Sequence, residues 1–230
     1  MEMKTALIVG AGAGLSASLA RLFARHGLQV AMASRDPDKL RKLAEETAGA
    51  TFACEATEPE EVAALFDVVL ATQGVPDIVV YNASARARGP VTDLVPAEVA
   101  RAIAVSAYGG FLVAQQAARH MAARGSGAIL LTGASASVKG YPNSSAFAMG
   151  KFALRGLAQS MARELSPKGV HVAHFVIDGG TRSADRRDPA DATDSLLDPD
   201  AIAETYWQIA NQPRSAWTWE VELRPWVEKF

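Results

Sequence analysis

The sequence predicts an α/β protein built on one doubly wound parallel sheet of about seven strands, with helices on both faces. The first observation is that short β-rich runs alternate with helical patterns along the 230 residues of the chain. The second is that these runs lack polar residues at alternate positions, as expected for strands buried on both sides. No repeat, linker or low-complexity tract divides the chain, so residues 1–230 are expected to form one domain.

Seven β-rich runs are the predicted strands, and the last of them is expected to close one edge of the sheet. They are Thr5–Val9, Leu28–Ala33, Ala50–Cys54, Asp77–Tyr81, Ala128–Thr132, Val170–Ile177 and Trp219–Leu223. Helical patterns lie near residues 14–26, 37–48, 59–73, 97–124 and 144–166. Ligands of doubly wound sheets bind outside the carboxyl ends of the strands, so a site is expected in the residues that follow each strand.

Composition excludes several classes of function. A net charge of −2 without basic clusters argues against a nucleic-acid partner. No run of about 18 apolar residues exists, and a strand begins directly after Met-Glu-Met-Lys, so neither a membrane span nor a signal peptide is expected and the protein is predicted to be cytoplasmic. No metal site is expected either, because His171 and His174 lie an odd number of residues apart on one strand and therefore face opposite sides.

Three glycines, Gly10, Gly12 and Gly14, follow the first strand, and a helix begins at Leu15. Without Cβ atoms such a loop can turn tightly and approach a pyrophosphate, while the N–H groups and dipole of the helix N-terminus attract the negative charge. The pattern predicts a nucleotide phosphate site, and a plain tight turn is the alternative.

The residues Ser34 and Arg35 follow the second predicted strand. An acidic side chain at this place would accept hydrogen bonds from the ribose of NAD, whereas arginine can hold the additional phosphate of NADP. We therefore expect NADP(H) to be preferred over NAD(H). The alternative is a solvated arginine at the start of the next helix.

Four further motifs follow the glycine loop at the ends of later strands or on a later helix. They are Glu55-Ala56, Asn82-Ala83-Ser84, Phe147-Ala-Met-Gly-Lys151 and Asp178-Gly179 with Thr181 beyond it. In order and spacing the five motifs resemble those of the short-chain dehydrogenase/reductase family over nearly the whole chain, with Ser16 in place of the third glycine of the loop. The resemblance implies a Rossmann-like fold, nicotinamide dinucleotide binding, a small-molecule substrate, and a homodimer or homotetramer formed through the two longest helices.

The residues that the resemblance and the loop pattern together assign to cofactor binding form one set. They are Gly10, Gly12, Gly14, Leu15, Ser34, Arg35, Glu55, Ala56, Asn82, Ala83, Lys151, Gly179 and Thr181.

The departures from the family pattern fall on its catalytic residues. Phe147 stands at the position of the tyrosine that exchanges a proton with the substrate, and a phenyl ring can neither donate nor accept one. Ala134 stands at the serine position, with Ser135 adjacent, and Ser106 at the asparagine position. Lys151 alone is unchanged, and its spacing of four residues from Phe147 places both on one face of a helix.

A replacement proton donor is therefore expected, with Ser135 and Tyr141 favoured over Tyr81 and Lys151, although Tyr141 is also explained by packing beside Pro142. The predicted function is an NADP(H)-dependent oxidoreductase with a non-standard site, acting on a small organic carbonyl, imine or alkene, or in reverse. One alternative is an NADP(H)-binding sensor or partner protein that has lost redox catalysis. Another is a non-redox isomerase or lyase on the same scaffold.

Two more segments lie where the resemblance places the substrate pocket. Arg86 and Arg88 follow the Asn82 motif and could recognise an anionic substrate, or could simply be solvated. Residues 180–197 correspond to the substrate lid of the family, and their composition predicts mobility until a ligand binds.

Overall fold

Seven parallel strands form one sheet in the order β3-β2-β1-β4-β5-β6-β7 in the computed structural model, which describes residues 3–183 and 185–228. The strands are β1 (Thr5–Val9), β2 (Gln29–Ser34), β3 (Ala50–Ala53), β4 (Ile78–Tyr81), β5 (Gly127–Thr132), β6 (Val170–Ile177) and β7 (Glu220–Leu223). Every neighbouring pair is parallel, and β7 lies at the edge beside β6 as predicted. The predicted fold class is confirmed.

Helices connect the strands and cover both faces of the sheet. They are α1 (Leu15–Arg25), α2 (Arg41–Thr47), α3 (Pro59–Gln73), α4 (Pro96–Ile103), α5 (Gly109–Arg124), α6 (Ser145–Leu165) and α7 (Pro199–Ala210). The helix predicted near residues 97–124 is in fact α4 and α5 joined by a π-helical turn at Ala104–Tyr108. The pattern near 37–48 likewise divides into a 3-10 turn at Pro37–Leu40 followed by α2.

Three expectations about the elements need correction. The helical patterns predicted from the sequence do not include α7, although Asp198 caps it by accepting from the Asp200 backbone N–H at 2.9 Å and Pro199 begins it. Ser34 is the last residue of β2 rather than the first residue after it. Cys54 lies just beyond β3, which ends at Ala53, and it is buried.

Two hydrophobic layers explain why the central strands β1 and β4 carry apolar residues on both faces. Alternate residues of a strand point to opposite faces, so Leu7 and Val79 pack beneath α3, α5 and α6, while Ile8 and Val80 pack beneath α1 and α7. All four are fully buried. Burying one such side chain stabilises the fold by about 1.5–3 kcal/mol, which fixes each helix on its own face.

The continuous helical stretch Pro96–Arg124 is long and apolar enough to cross a membrane by length and composition alone. In the fold, 44% of its most apolar window is buried inside the protein. Val113, Ala117 and Met121 of this stretch belong to the core beneath the sheet. Its apolar composition is therefore accounted for by packing.

The strand register aligns the carboxyl ends that carry the motifs. Val9 pairs with both Ala33 and Tyr81, and Tyr81 pairs with Leu131. Between β1 and β4 the direction of strand addition reverses, so the connections that follow these two strands leave toward opposite faces. A crevice opens at such a point, and the glycine loop and the Asn82 motif lie on its two sides.

Candidate active site

The glycine loop separates into one glycine needed by the fold and two that leave room. Gly10 has a φ of +83°, and a Cβ at this position would lie 2.3 Å from the backbone N of Ala83. Glycine is therefore required where the loop meets the segment after β4. At Gly12 and Gly14 a Cβ would meet nothing within 4 Å, so the loop is open toward the crevice in front of α1.

Ser16, which replaces the third glycine of the family pattern, is buried and links two motifs. The Asn82 side-chain amide donates to Ser16 Oγ at 2.7 Å, and Ser16 Oγ donates to the backbone oxygen of Gly10 at 3.2 Å. The hydroxyl therefore occupies space that glycine would leave empty and joins α1 to the end of β4. This contact makes the substitution compatible with the fold.

A cavity of about 470 Å³ lies at the carboxyl ends of β1, β2, β3 and β4. It brings together eight of the predicted cofactor residues, namely Gly10, Gly12, Ser34, Arg35, Glu55, Ala56, Asn82 and Ala83. Lys39 and Arg101 also line it, and neither is among the site residues predicted from the sequence. Gly14 and Leu15 lie beside this lining at the start of α1.

The end of β2 presents polar groups that have no partner within the described part of the chain. Ser34 Oγ is buried and makes no hydrogen bond. Arg35 is exposed, and none of the ion pairs of residues 3–183 and 185–228 includes it. The neighbouring carboxylate of Asp36 pairs with Lys39 instead, at 3.0 Å. A hydroxyl and a guanidinium are therefore available here to an anionic ligand.

Lys151 belongs to α6, and its buried side chain reaches the carboxyl end of β5. Its Nζ donates to the backbone oxygen of Thr132 at 2.7 Å and lies 5.8 Å from the centroid of the Phe147 ring. Burial, together with the positive charge of Arg86, lowers the pKa of Lys151 to about 7. An amine of this pKa exchanges protons readily near neutral pH.

Arg86 reaches the site from the segment after β4. Its guanidinium carbon lies 4.1 Å above the centroid of the Phe147 ring, in a cation–π stack, although the side chain is still exposed to solvent. From the sequence alone, Arg86 is compatible with either anion recognition or simple solvation. The signal in the sequence that indicates a place near the site is the position of Arg86 shortly after the Asn82 motif.

The two favoured replacement donors, Ser135 and Tyr141, lie in the segment between β5 and α6. Ser135 begins the short 3-10 turn Ser135–Ser137 and is half-buried. Tyr141 is exposed, and its ring centroid lies 5.9 Å from Lys139 Nζ, while Lys139 pairs with Asp178 at 3.1 Å. Among the hydrogen bonds and ring contacts of the described residues, neither Ser135 nor Tyr141 touches Phe147 or Lys151.

Tyr81, the other aromatic candidate, is a poor proton donor. It is fully buried in β4, where its hydroxyl donates to the backbone oxygen of Val105 and burial raises its pKa. Ser106, at the asparagine position, is buried in the π-helical turn and accepts from the Ala85 backbone N–H at 3.4 Å. A Cβ at Gly150 would lie 2.7 Å from Ser106 Cβ, so this turn packs closely against α6 just before Lys151.

The segment after β6 carries Gly179 and Thr181, which lie outside the cavity described above. Gly179 has a φ of +147°, and Thr181 forms an isolated bridge with Leu197 that ties the two ends of the 180–197 segment together. Arg182 reinforces the segment through Asp188 and Asp194, each at 2.6 Å. No group of three metal-ligating side chains occurs among residues 3–183 and 185–228.

Comparison with known proteins gives a consistent result. A family profile described as short chain dehydrogenase matches residues 4–192. An uncharacterized oxidoreductase of Staphylococcus aureus is 29% identical over 96% of this chain and 97% of its own. Secoisolariciresinol dehydrogenase of Forsythia intermedia is 33% identical over 75% of this chain and 64% of its own.

Solved structures agree with the sequence comparisons. The crystal structure of a short-chain dehydrogenase from Rhodopseudomonas palustris superimposes with a TM-score of 0.84 at 34% identity, covering 97% of this chain and 99% of that one. A metagenomic short-chain oxidoreductase in complex with NADP has a TM-score of 0.84 at 29% identity, covering 96% of this chain and 97% of that one. The resemblance found in the motifs therefore extends to the whole fold.

Proposed function

The chain belongs to the short-chain dehydrogenase/reductase family and is an oxidoreductase of that type, and we propose that it prefers NADP(H) over NAD(H). Its proposed substrate is a small organic carbonyl, imine or alkene, or the reduced product in the reverse reaction. The dehydrogenases and oxidoreductases described above do not favour the sensor and isomerase alternatives. A cytoplasmic location remains part of the proposal.

The observation that carries the cofactor preference is the unpartnered pair at the end of β2. A buried Ser34 hydroxyl and an Arg35 guanidinium outside every described ion pair suit the phosphate on the adenosine ribose of NADP. No acidic residue stands at these two positions to favour NAD. The related metagenomic oxidoreductase was solved in complex with NADP, which supports the same choice.

The open loop at Gly12 and Gly14 fits the pyrophosphate of such a dinucleotide, with the N-terminus of α1 behind it. When bound, the cofactor supplies or accepts the hydride, and the balancing proton goes to or comes from the substrate heteroatom or carbon. Lys151 is the group proposed to hold that proton, because its pKa of about 7 suits exchange and it lies beside Phe147.

The oligomeric state is also proposed. The face of α5 and α6 exposes Phe111 and Phe152, and Phe111 shares a groove with Leu157 and Met161. Exposed aromatic residues of this kind are enriched where subunits meet. We infer a homodimer or homotetramer formed through these two helices.

Cofactor titrations test the proposal. Arg35→Gln is expected to weaken NADPH binding about 10- to 100-fold and to leave NADH binding unchanged, because only the phosphate loses a charge-assisted hydrogen bond. Arg41→Gln is the matched control. Arg41 is the first residue of α2, and its guanidinium already pairs with Asp38 at 2.8 Å. Equal affinities for the two cofactors in the parent protein, measured by nicotinamide fluorescence, would contradict the preference.

A further inference from the structure

The stack of Arg86 on Phe147 places a positive charge at the substrate side of the site. Phe147 occupies the position of the family's proton-donating tyrosine, so the ring face covered by Arg86 belongs to the reaction site under the proposed function. The guanidinium carbon lies 4.1 Å from that ring centroid, whereas Lys151 Nζ lies 5.8 Å from it. Two cationic side chains therefore flank one aromatic ring.

More positive charge converges on the same place. Burial and the nearby guanidinium groups of Arg88 and Arg186 all lower the pKa of Arg86. Arg186 comes from the 180–197 segment, and its Nη2 lies 2.2 Å from where a Cβ of Gly180 would be, so it packs directly on the backbone after Gly179. The segments that follow β4 and β6 thus bring Arg86, Arg88 and Arg186 close together.

The residues that the structure describes do not neutralise this charge. Among residues 3–183 and 185–228, neither a carboxylate nor a hydrogen-bond acceptor pairs with the Arg86 guanidinium. Arg182, by contrast, is paired with Asp188 and Asp194 of the 180–197 segment and with Asp198, which caps α7.

No hydrogen bond or ion pair of the described residues uses the Arg86 guanidinium, so its N–H groups are free for a ligand. A guanidinium that covers a ring with its flat face directs its N–H groups outward in the plane, where they match the two oxygens of a carboxylate or phosphate. The contact with the Phe147 ring, 4.1 Å from its centroid, positions the guanidinium, and the exposure of Arg86 gives a ligand access to it.

We propose that Arg86 determines substrate specificity by binding an anionic group, a carboxylate or a phosphate ester, on a small carbonyl compound, with Arg186 adding charge from the 180–197 segment. The proposal rests on the proposed function for the identity of the reaction site. Phe147 then orients Arg86. The position that carries the proton-donating tyrosine in the family therefore serves substrate recognition in this chain.

Two matched pairs of probes test this inference by equilibrium binding. The pairs are 2-oxobutanoate with its methyl ester, and dihydroxyacetone phosphate with dihydroxyacetone. Calorimetric titrations use the protein saturated with NADP⁺, which cannot donate a hydride, and also the protein without cofactor. The variants are Arg86→Gln, Arg86→Lys and Arg186→Gln, with Arg163→Gln as the control that removes an exposed positive charge from α6.

In at least one pair the anionic probe is expected to bind about 10- to 100-fold more tightly than its neutral partner. Arg86→Gln should abolish the difference, Arg86→Lys should keep part of it, and Arg163→Gln should keep all of it. The pair that shows the difference identifies the anion as carboxylate or phosphate.

Equal binding of both members of each pair, no binding of any probe with or without cofactor, or discrimination unchanged in Arg86→Gln would each overturn the inference. Redox turnover is tested in a separate experiment, which measures NADPH oxidation. Charge discrimination that depends on Arg86, without NADPH oxidation on any carbonyl, would refute redox turnover and still support the anion site.

Discussion

The side-chain amide of Asn82 donates to Ser16 Oγ over 2.7 Å, which joins the segment after β4 to the first turn of α1. Ser16 passes the interaction on to the backbone oxygen of Gly10. The Ser16 hydroxyl therefore links the glycine loop to the segment after β4 through two hydrogen bonds. Ser16 stands where the family pattern has its third glycine.

Ser16→Ala should lower the free energy of unfolding by about 1–3 kcal/mol, because the half-buried amide of Asn82 and the Gly10 oxygen each lose a partner. Urea denaturation of the cofactor-free protein measures the loss. Ser18→Ala is the control, since Ser18 is buried on the same helix and makes no side-chain hydrogen bond among the described residues. Equal losses in both variants would show that the Ser16 link is energetically unimportant.

Gly10→Ala and Gly12→Ala should separate the structural glycine from the ligand-facing one. Gly10→Ala is expected to cost about 3 kcal/mol or more, because alanine is strained at a φ of +83° and its Cβ would collide with Ala83. Gly12→Ala should change stability by less than about 0.5 kcal/mol, since its Cβ enters open space.

Under the proposed function, the same Cβ of Gly12→Ala would prevent the pyrophosphate from approaching the loop backbone. NADPH binding should therefore weaken tenfold or more. Thermal melts of both variants, with and without NADPH, provide the measurement. A Gly12→Ala variant that binds NADPH normally would contradict the assignment of this loop to the phosphates.

The fold, and the meeting of the strand-end residues in one cavity, could be predicted because local sequence sets the strands and helices. A parallel sheet brings the ends of its strands to one edge, so Gly10, Ser34 and Asn82 were expected together and line one cavity. The stack of Arg86 on Phe147 could not be predicted, because it joins a loop to a helix far along the chain. The π-helical turn at Ala104–Tyr108 likewise depends on tertiary packing against α6, through Ser106 and Gly150.

The depressed pKa of Lys151 predicts a pH dependence of stability. Between the folded value of about 7 and the ordinary value of 10.5, the unfolded chain holds a proton that the folded protein has released. The free energy of unfolding contributed by Lys151 therefore rises with pH across this window and is lost as pH falls toward 7.

Lys151→Met removes this contribution while keeping the aliphatic stem. The stability of the parent minus that of Lys151→Met should be constant below about pH 7 and increase toward pH 9.5, in urea denaturation at several pH values. A difference that does not vary with pH would mean that Lys151 titrates normally. The variant should also bind NADPH more weakly, because it loses the ammonium donors.

The proposed assembly predicts that a charge on the face of α5 and α6 separates the subunits. Phe111→Glu is expected to convert a dimer or tetramer into smaller species, because a carboxylate buried in an apolar interface is costly. Light scattering coupled to gel filtration measures the mass. Val91→Glu is the control, at a residue that is 75% exposed elsewhere on the surface. A monomeric parent protein would refute the assembly.

Phe147→Tyr should restore part of the family's ordinary carbonyl chemistry. The new hydroxyl would lie on the face shared with Lys151, and the positive charges of Lys151 and Arg86 should lower the phenol pKa toward neutrality. A positioned general acid contributes about 10²–10⁴-fold in rate, and the gain should be partial while Ala134 occupies the serine position. Ala134→Ser combined with Phe147→Tyr should exceed either single change, because the two hydroxyls act on one substrate oxygen.

NADPH oxidation with activated ketones and aldehydes, for the parent, both single variants and the double variant, provides the test. The neutral members of the panel should gain most, since they make no use of Arg86 for binding. A parent that already reduces simple ketones as fast as Phe147→Tyr would show that another group supplies the proton. If the double variant binds NADPH normally and stays inert on every carbonyl, the pocket is shaped for different chemistry, because the acid would be restored without any effect on rate.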